Sequence, residues 1–181
     1  MNFIALPLIV VINAFLTGLF TKLSDVVNDD GLKVPTSVNI LFGILWGVFG
    51  SLVVLGNPYV AAFYFGILLS WIHRFKLDNY SHGFGGSLIL ASIFFIHPSS
   101  QVQIVIIIVT AVLFTFFGLL SRHGVLKKNI FINYNVYSFL FLIIVSFYNK
   151  NVWVVVVASL ANVFGYHGVK QWWKYKSRLK S

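Results

Sequence analysis

The sequence predicts an all-α protein, a polytopic transmembrane helix bundle with about seven spans. Hydrophobic residues make up 59% of the chain and charged residues only 9%, whereas a soluble domain is roughly half apolar and one quarter charged. The hydrophobic residues are gathered into long runs separated by short polar segments. Basic residues fall almost entirely on one side of the membrane if every run crosses it, as the positive-inside rule expects. We therefore expect an integral, multi-pass membrane protein.

Seven apolar runs are candidates for the spans, since crossing the hydrocarbon takes about 20 residues, with about 17 to 25 tolerated. The first run lacks the basic start and the cleavage pattern of a signal peptide, so we expect it to be a retained helix. The fourth run is short and rich in glycine, and a thinned or partly re-entrant segment is the alternative to a full crossing. The runs are 3–21, 38–55, 58–75, 83–97, 102–120, 130–148 and 152–170.

The basic residues predict the orientation of the bundle. With seven crossings, the connections after the first, third, fifth and seventh runs share one side, and Lys150 alone among the basic residues faces the other. This places the N-terminus outside and the C-terminus in the cytoplasm. Residues 1–171 then form a single transmembrane domain and residues 172–181 a basic cytoplasmic tail, with Trp172 and Trp173 at the level of an aromatic belt. The residues of the cytoplasmic basic face are Lys22, Lys33, Arg74, Lys76, Arg122, Lys127, Lys128, Lys170, Lys174, Lys176, Arg178 and Lys180.

Three of the four acidic residues lie close together in the segment TKLSDVVNDDGLKVP, which follows the first run. If the first helix continues to a stop near Gly31, Asp25 and Asp29 are four apart on one face and repel each other. Asp29 and Asp30 would also lie in the last turn, where the helix dipole disfavours anions. A bound Mg²⁺ removes both costs, because carboxylate and phosphate oxygens are its usual ligands. The alternative is a solvated rim at the membrane boundary, in which neighbouring lysines pair loosely with the acids.

A second polar segment, WIHRFKLDNYSHGFGG, follows the third run and repeats this pattern. Asp78 and His82 are four apart in it, and the glycines behind them let backbone approach a ligand closely. This spacing favours a second group of ligands on the same side of the membrane. The alternative is that Asp78, Asn79 or Ser81 caps the fourth helix and that His82 is an interfacial residue.

Basic side chains near both segments are candidates for binding a phosphate group. The same charges would also attract anionic lipid headgroups, at about 1 kcal/mol per residue. The net charge of +9 follows membrane topology, so it does not indicate binding to nucleic acid. The candidate phosphate-binding residues are Lys22, Lys33, Arg74, Lys76, Arg122 and Lys127.

Few polar residues lie inside the runs. Asn13 and Asn162 fall in the middle of the first and last runs, where an amide usually hydrogen-bonds a neighbouring helix or lines a cavity. Gly43, Gly47 and Gly50 place small residues along one side of the second run, which favours close contact with another helix. We expect all five residues to serve packing.

The clustered aspartates in SDVVNDDG and LDNYSHG resemble the two aspartate-rich segments of UbiA-type membrane prenyltransferases. In that family the acids hold Mg²⁺, which binds the diphosphate of an isoprenoid donor. The resemblance implies that Asp25 and Asp29 are Mg²⁺ ligands with Asp30 as a third, and that Asp78 is the ligand from the second segment. His82 stands where the family usually has an acid, which is a departure from the family pattern. The candidate catalytic residues are Asp25, Asp29, Asp78 and, from its spacing to Asp78, His82. The family usually has nine helices, two more than the runs counted here.

Two hypotheses of function follow. The first is an enzyme with UbiA-like transferase chemistry, in which Mg²⁺ assists the handling of an isoprenoid diphosphate or another phosphorylated lipid at the cytoplasmic face. The second is a non-catalytic structural or partner-binding membrane protein, whose acids and bases form a network at headgroup level. A retinal protein is excluded because 152–169 contains no lysine for a Schiff base, and a zinc protease of the His-Glu type is excluded because the chain contains no glutamate.

Overall fold

The computed structural model describes residues 7–74, 79–96, 100–122 and 134–178. Across these ranges the chain is all-α, as the sequence predicts, with one short 3₁₀ turn at Lys150–Val152 and no strand. Within the described ranges, each apolar run overlaps one helix. The helices are α1 (Pro7–Asn28), α2 (Thr36–Gly56), α3 (Pro58–His73), α4 (Tyr80–Ile96), α5 (Gln101–Arg122), α6 (Tyr134–Tyr148) and α7 (Trp153–Arg178).

Four of these helices, α1, α2, α5 and α7, are long and apolar enough to cross a membrane, while α3, α4 and α6 are shorter apolar helices. Large apolar side chains point outward on the bundle: Phe95 is 81% exposed and Phe164 69% exposed, whereas Ala61 and Ala62 are fully buried. This arrangement places large apolar side chains where lipid would lie and small ones between helices.

Local sequence explains where the helices begin and end. Asn57 precedes Pro58 and caps α3, because its side-chain oxygen accepts hydrogen bonds from the next two free backbone N–H groups. The end of α1 is also set by local sequence. The helix α1 ends at Asn28, and Gly31 follows in the left-handed backbone conformation, with a φ of 81°. The expected stop near Gly31 is confirmed, since glycine adopts this conformation without the strain a Cβ would add.

Contacts along the helices show the relative directions of α1, α2 and α4. Asn39 donates to Asn28 at one end of the α1–α2 pair, while Thr17 lies beside Gly50 further along, so these two helices are antiparallel. In the α2–α4 pair, Gly43 faces Ser81 and Gly47 faces Gly85, so these two are parallel.

Contacts also give the relative directions of α3, α5 and α6. In the α3–α5 pair, Gly66 faces Thr110 and the Arg74 side chain reaches Gly118, so the two run in parallel. Phe117 of α5 stacks on Tyr137 of α6 with ring centroids 4.6 Å apart, which brings the last turns of α5 to the first turns of α6. Contacts with α7 link these two groups of helices. Tyr59 of α3 is bonded to Asn149, just before α7, and Tyr64 is bonded to Asn162 within α7, so α3 and α7 are parallel. Gly18 of α1 lies against Asn162, and Asp25, further along α1, is bonded to Tyr166, so α1 runs in the same direction as α7. Odd-numbered helices therefore run one way and even-numbered helices the other.

We call the end that holds the last turns of α1, α3, α5 and α7 the basic end, and the other the opposite end. Lys22, Lys33 and Arg74 lie at the basic end with the last turns of α7, whereas Lys150 precedes α7 at the opposite end. The separation of basic residues expected from the sequence therefore holds within the described part of the chain.

Glycines set the closest helix contacts. A Cβ at Gly18 of α1 would overlap the backbone carbonyl of Asn162 in α7, and a Cβ at Gly165 would overlap that of Phe15. These two positions let the backbones of α1 and α7 touch. On α2, added Cβ atoms at the three predicted glycines would meet Ser81, Gly85, Leu88 and Ile89 of α4, which confirms that Gly43, Gly47 and Gly50 serve close packing.

The two amides inside the spans are both bonded within the bundle. Asn162 donates its Nδ2 hydrogen to the Tyr64 hydroxyl of α3 at 3.3 Å. Asn13 instead donates to the carbonyl of Ile9 in its own helix at 2.8 Å. The expected packing role is confirmed for Asn162, while Asn13 satisfies its amide one turn back.

Candidate functional site

The Asp25 carboxylate joins three helices at the basic end. Asp25 lies in the last turn of α1, and its Oδ1 is 3.0 Å from Nε2 of His82 in α4. Its Oδ2 accepts a hydrogen bond from the Tyr166 hydroxyl of α7 at 2.8 Å. The Asp25 side chain is 16% exposed and that of His82 13% exposed. One carboxylate therefore ties three helices that are far apart in the sequence.

Asn79 determines which nitrogen of His82 carries the proton. The Asn79 Oδ1 accepts from the His82 backbone N–H at 2.9 Å, so the Asn79 Nδ2 group must be the donor to His82 Nδ1, at 2.9 Å. Because Nδ1 accepts, the neutral ring carries its hydrogen on Nε2 and donates it to Asp25. Asn79 is thus the residue that caps α4, and both ring nitrogens of His82 are engaged.

Neutral polar side chains extend this network to α2. The hydroxyls of Ser24 and Ser81 are hydrogen-bonded to each other, and both residues are fully buried. Asn28 donates to Ser24 at 3.2 Å, and Asn39 donates to Asn28 at 2.8 Å. The ends of α1, α2 and α4 are therefore joined by hydrogen bonds as well as by packing.

Lys22 and Asp30 form an ion pair beside the Asp25 carboxylate. The Lys22 Nζ is 2.7 Å from the Asp30 Oδ2, with the lysine side chain 8% exposed and the aspartate side chain 39% exposed. The same ammonium lies 5.5 Å from the centre of the Tyr166 ring, within the range of a cation–π contact. Lys22, a predicted phosphate ligand, is thus paired with Asp30, a predicted metal ligand.

The other predicted site residues lie apart from this network or outside the described residues. Asp29 and Lys33 are exposed in the connection between α1 and α2. Arg74 follows α3, where its Nε donates to the Ser70 carbonyl at 3.4 Å. Arg122 ends α5, but its side chain is not among the described ones. The predictions for Lys76, Asp78 and Lys127 fall outside the described residues.

The described side chains do not by themselves fit a Mg²⁺ site. In residues 7–74, 79–96, 100–122 and 134–178, no three side chains of the metal-binding types come together. Asp25 accepts from two neutral donors, and Asp30 faces an ammonium. Mg²⁺ ligation by Asp25, Asp29, Asp30 and Asp78 therefore stays a prediction.

Tyr166 is the partner of Asp25 that the sequence analysis missed. It follows Asn162 by four positions, so both side chains lie on the inner face of α7. A tyrosine at a membrane boundary usually finds a hydrogen-bond partner for its hydroxyl. That spacing was the available signal, but the identity of the partner could not be read from it.

Searches of protein-family models, of curated proteins and of solved structures gave no match to this chain. The resemblance to UbiA-type prenyltransferases therefore stays a prediction that rests on the quoted residues.

Proposed function

We propose that this protein is a seven-span integral membrane protein with a structural or partner-binding role, its N-terminus outside and its C-terminus in the cytoplasm. In this proposal the Asp25 carboxylate at the basic end holds helices together. The observation that carries it is the Asp25 carboxylate, whose two oxygens accept hydrogen bonds from His82 and Tyr166. These two hydrogen bonds explain the presence of an acidic residue at the membrane boundary, and no ligand is needed to account for it.

The alternation of helix directions supports seven crossings, because adjacent spans of a multi-pass protein must run in opposite directions. Two tryptophans support the crossing of α7 in particular. Trp153 is 42% exposed and Trp172 is 45% exposed, and they are separated by about 28 Å at 1.5 Å per residue. This spacing matches a hydrocarbon core of about 30 Å with an aromatic residue at each boundary.

Topology can be tested with reporter fusions. A reporter placed after Ser181 should read cytoplasmic, and one placed in the turn between α2 and α3, near Asn57, should read external. Both positions lie outside the apolar runs, so neither fusion interrupts a predicted span. A cytoplasmic signal from the turn would contradict the proposed orientation.

The energetic case for a structural role is direct. A hydrogen bond to a charged group contributes about 1.5–3 kcal/mol, and a buried donor left without a partner costs about 1–3 kcal/mol. Two such bonds outweigh the few tenths of a kcal/mol that a like charge one turn away would cost. The network therefore stabilises the bundle even though Asp25 and Asp29 carry the same charge.

A second candidate function is favoured by one observation. The two segments that resemble the prenyltransferase motifs touch each other, through Asp25 with His82 and through Ser24 with Ser81. A site for the diphosphate of an isoprenoid lipid would need this meeting of segments. In that case Asp25 would be one acid of the site, held in place by His82 and Tyr166, and Mg²⁺ would neutralise the charge of the diphosphate.

One experiment separates the two candidates. Melting curves of the detergent-solubilised protein are recorded with EDTA, with Mg²⁺ alone and with Mg²⁺ plus geranylgeranyl diphosphate. A ligand that binds the folded state raises the midpoint. The structural proposal predicts equal midpoints after correction for ionic strength. A rise that requires both Mg²⁺ and the diphosphate would establish the second candidate instead.

A further inference from the structure

The last turns of α7 continue past the boundary marked by Trp172 and carry a concentrated positive charge. The helix runs without interruption from Trp153 to Arg178. Its outward side is apolar at Val157, Leu160 and Phe164. Toward the end of the helix, basic side chains replace these apolar ones. Between Trp172 and the end of α7 the basic residues are Lys174, Lys176 and Arg178.

The helix α7 contains no acidic residue that could neutralise these basic side chains. Lys174 and Arg178 are exposed and are four positions apart, so they lie on one side of the helix and repel each other. Lys176 places its ammonium 5.0 Å from the centre of the Trp172 ring, which joins a cation to an interfacial aromatic. An anionic surface on this side would relieve the repulsion.

The depth of these residues matches the lipid phosphates. If Trp172 lies at the hydrocarbon boundary, Lys174 and Lys176 lie about 3 and 6 Å beyond it along the helix. The headgroup layer on each side of a bilayer is about 5–8 Å thick. The two ammonium groups therefore fall within that layer, and Arg178 lies at its outer edge.

We propose that the end of α7, from Trp172 to Arg178, binds anionic phospholipid headgroups such as phosphatidylserine. Trp172 fixes the depth of the helix, and the three basic side chains contact lipid phosphate and carboxylate groups. This surface is separate from the Asp25 network, and the inference requires only that α7 crosses the membrane.

Spin-labelled lipids test the proposal on the full-length protein. The protein is reconstituted in phosphatidylcholine bilayers, and the association of spin-labelled phosphatidylserine is compared with that of spin-labelled phosphatidylcholine. The triple variant Lys174→Gln, Lys176→Gln, Arg178→Gln removes the proposed contacts. The matched single variants are Lys174→Gln at this surface and Lys150→Gln at the opposite end. All these residues are at least partly exposed, so melting curves should match that of the parent.

The parent should prefer phosphatidylserine severalfold, and the triple variant should lose most of that preference. The preference should fall in 1 M salt, where the Debye length shortens from about 10 Å to about 3 Å. An unchanged preference in the triple variant would overturn the proposal, and so would an equal loss in Lys150→Gln and Lys174→Gln. Since both leaflets carry the same lipids, these results do not depend on which end is cytoplasmic, and failure of the proposed topology would be seen separately with the reporters.

Discussion

At each end of the bundle a tyrosine hydroxyl forms a hydrogen bond that joins two parts of the chain, but its partner is a neutral amide at one end and a carboxylate at the other. At the opposite end Asn149 donates an amide hydrogen to the Tyr59 hydroxyl at 2.9 Å, which joins the connection before α7 to α3. At the basic end the hydroxyl of Tyr166 is bonded to the Asp25 carboxylate at 2.8 Å. A neutral amide is therefore sufficient to link two segments through a tyrosine hydroxyl. The Asp25 carboxylate makes the same kind of link and adds a negative charge that the link does not require.

The added charge has a specific consequence. A carboxylate accepts hydrogen bonds more strongly than an amide, but it must be supplied with donors on both oxygens when it is partly buried. His82 and Tyr166 supply these donors. The charged tie should thus be stronger than the neutral one while intact, and more damaging when broken.

The largest effect is expected from Asp25→Ala. This variant leaves the His82 Nε2–H and the Tyr166 hydroxyl without their acceptor, so the free energy of unfolding should fall by about 2–4 kcal/mol. Melting curves in detergent would measure the loss. Asp29→Ala is the matched control, because Asp29 is exposed and its removal should change stability by less than about 0.5 kcal/mol. Equal losses in the two variants would contradict the assignment of Asp25 to the network.

A smaller effect is expected from removing one hydroxyl at each end. Tyr166→Phe should lower the free energy of unfolding by about 1.5–2 kcal/mol, because the lost bond goes to a charged group. Tyr59→Phe should cost about 1 kcal/mol, because its partner is a neutral amide. Tyr175→Phe, on the exposed end of α7, is the control and should have no effect. A larger loss in Tyr59→Phe than in Tyr166→Phe would reverse the comparison.

The smallest difference is expected for the helix caps. Asn57 caps α3 at the opposite end, and Asn79 caps α4 at the basic end. Replacing either by alanine should cost about 1 kcal/mol, because both caps are neutral side-chain oxygens. The Asn79 variant should lose slightly more, since His82 Nδ1 also loses its donor. A loss several times larger in one of them would show that the two ends differ in more than the carboxylate.

Much of the fold follows from local patterns that a sequence displays directly. Apolar runs predict the helices, Gly31 predicts the end of α1, and the glycines of α2 predict close packing, because each of these depends on neighbouring residues. The partners of Asp25 do not depend on neighbours. His82 lies 57 positions away and Tyr166 lies 141 positions away, so only the packing of α1 against α4 and α7 brings them together.

This dependence on tertiary packing reverses the sign of the stability change that we expect for one substitution. From the sequence alone, Asp25→Asn relieves repulsion with Asp29 and leaves stability in metal-free buffer equal or slightly higher. In the structure the carboxylate accepts two hydrogen bonds, so the same variant loses the contribution of the charge. Asparagine still accepts from His82 and can donate to the Tyr166 hydroxyl, as Asn149 donates to Tyr59 at the opposite end. We therefore expect a loss of less than about 1 kcal/mol.

Asp25→Asn is the most direct test of the claim that the carboxylate is a structural tie. Melting curves are compared for the parent, Asp25→Asn and Asp25→Ala, each with EDTA and with Mg²⁺ plus geranylgeranyl diphosphate. The account predicts a graded loss, with the asparagine variant between the parent and the alanine variant, and no response to the ligands in any of the three. An asparagine variant as stable as the parent in EDTA, together with a ligand-induced rise in the parent that this variant lacks, would contradict the account and make Asp25 part of a binding site.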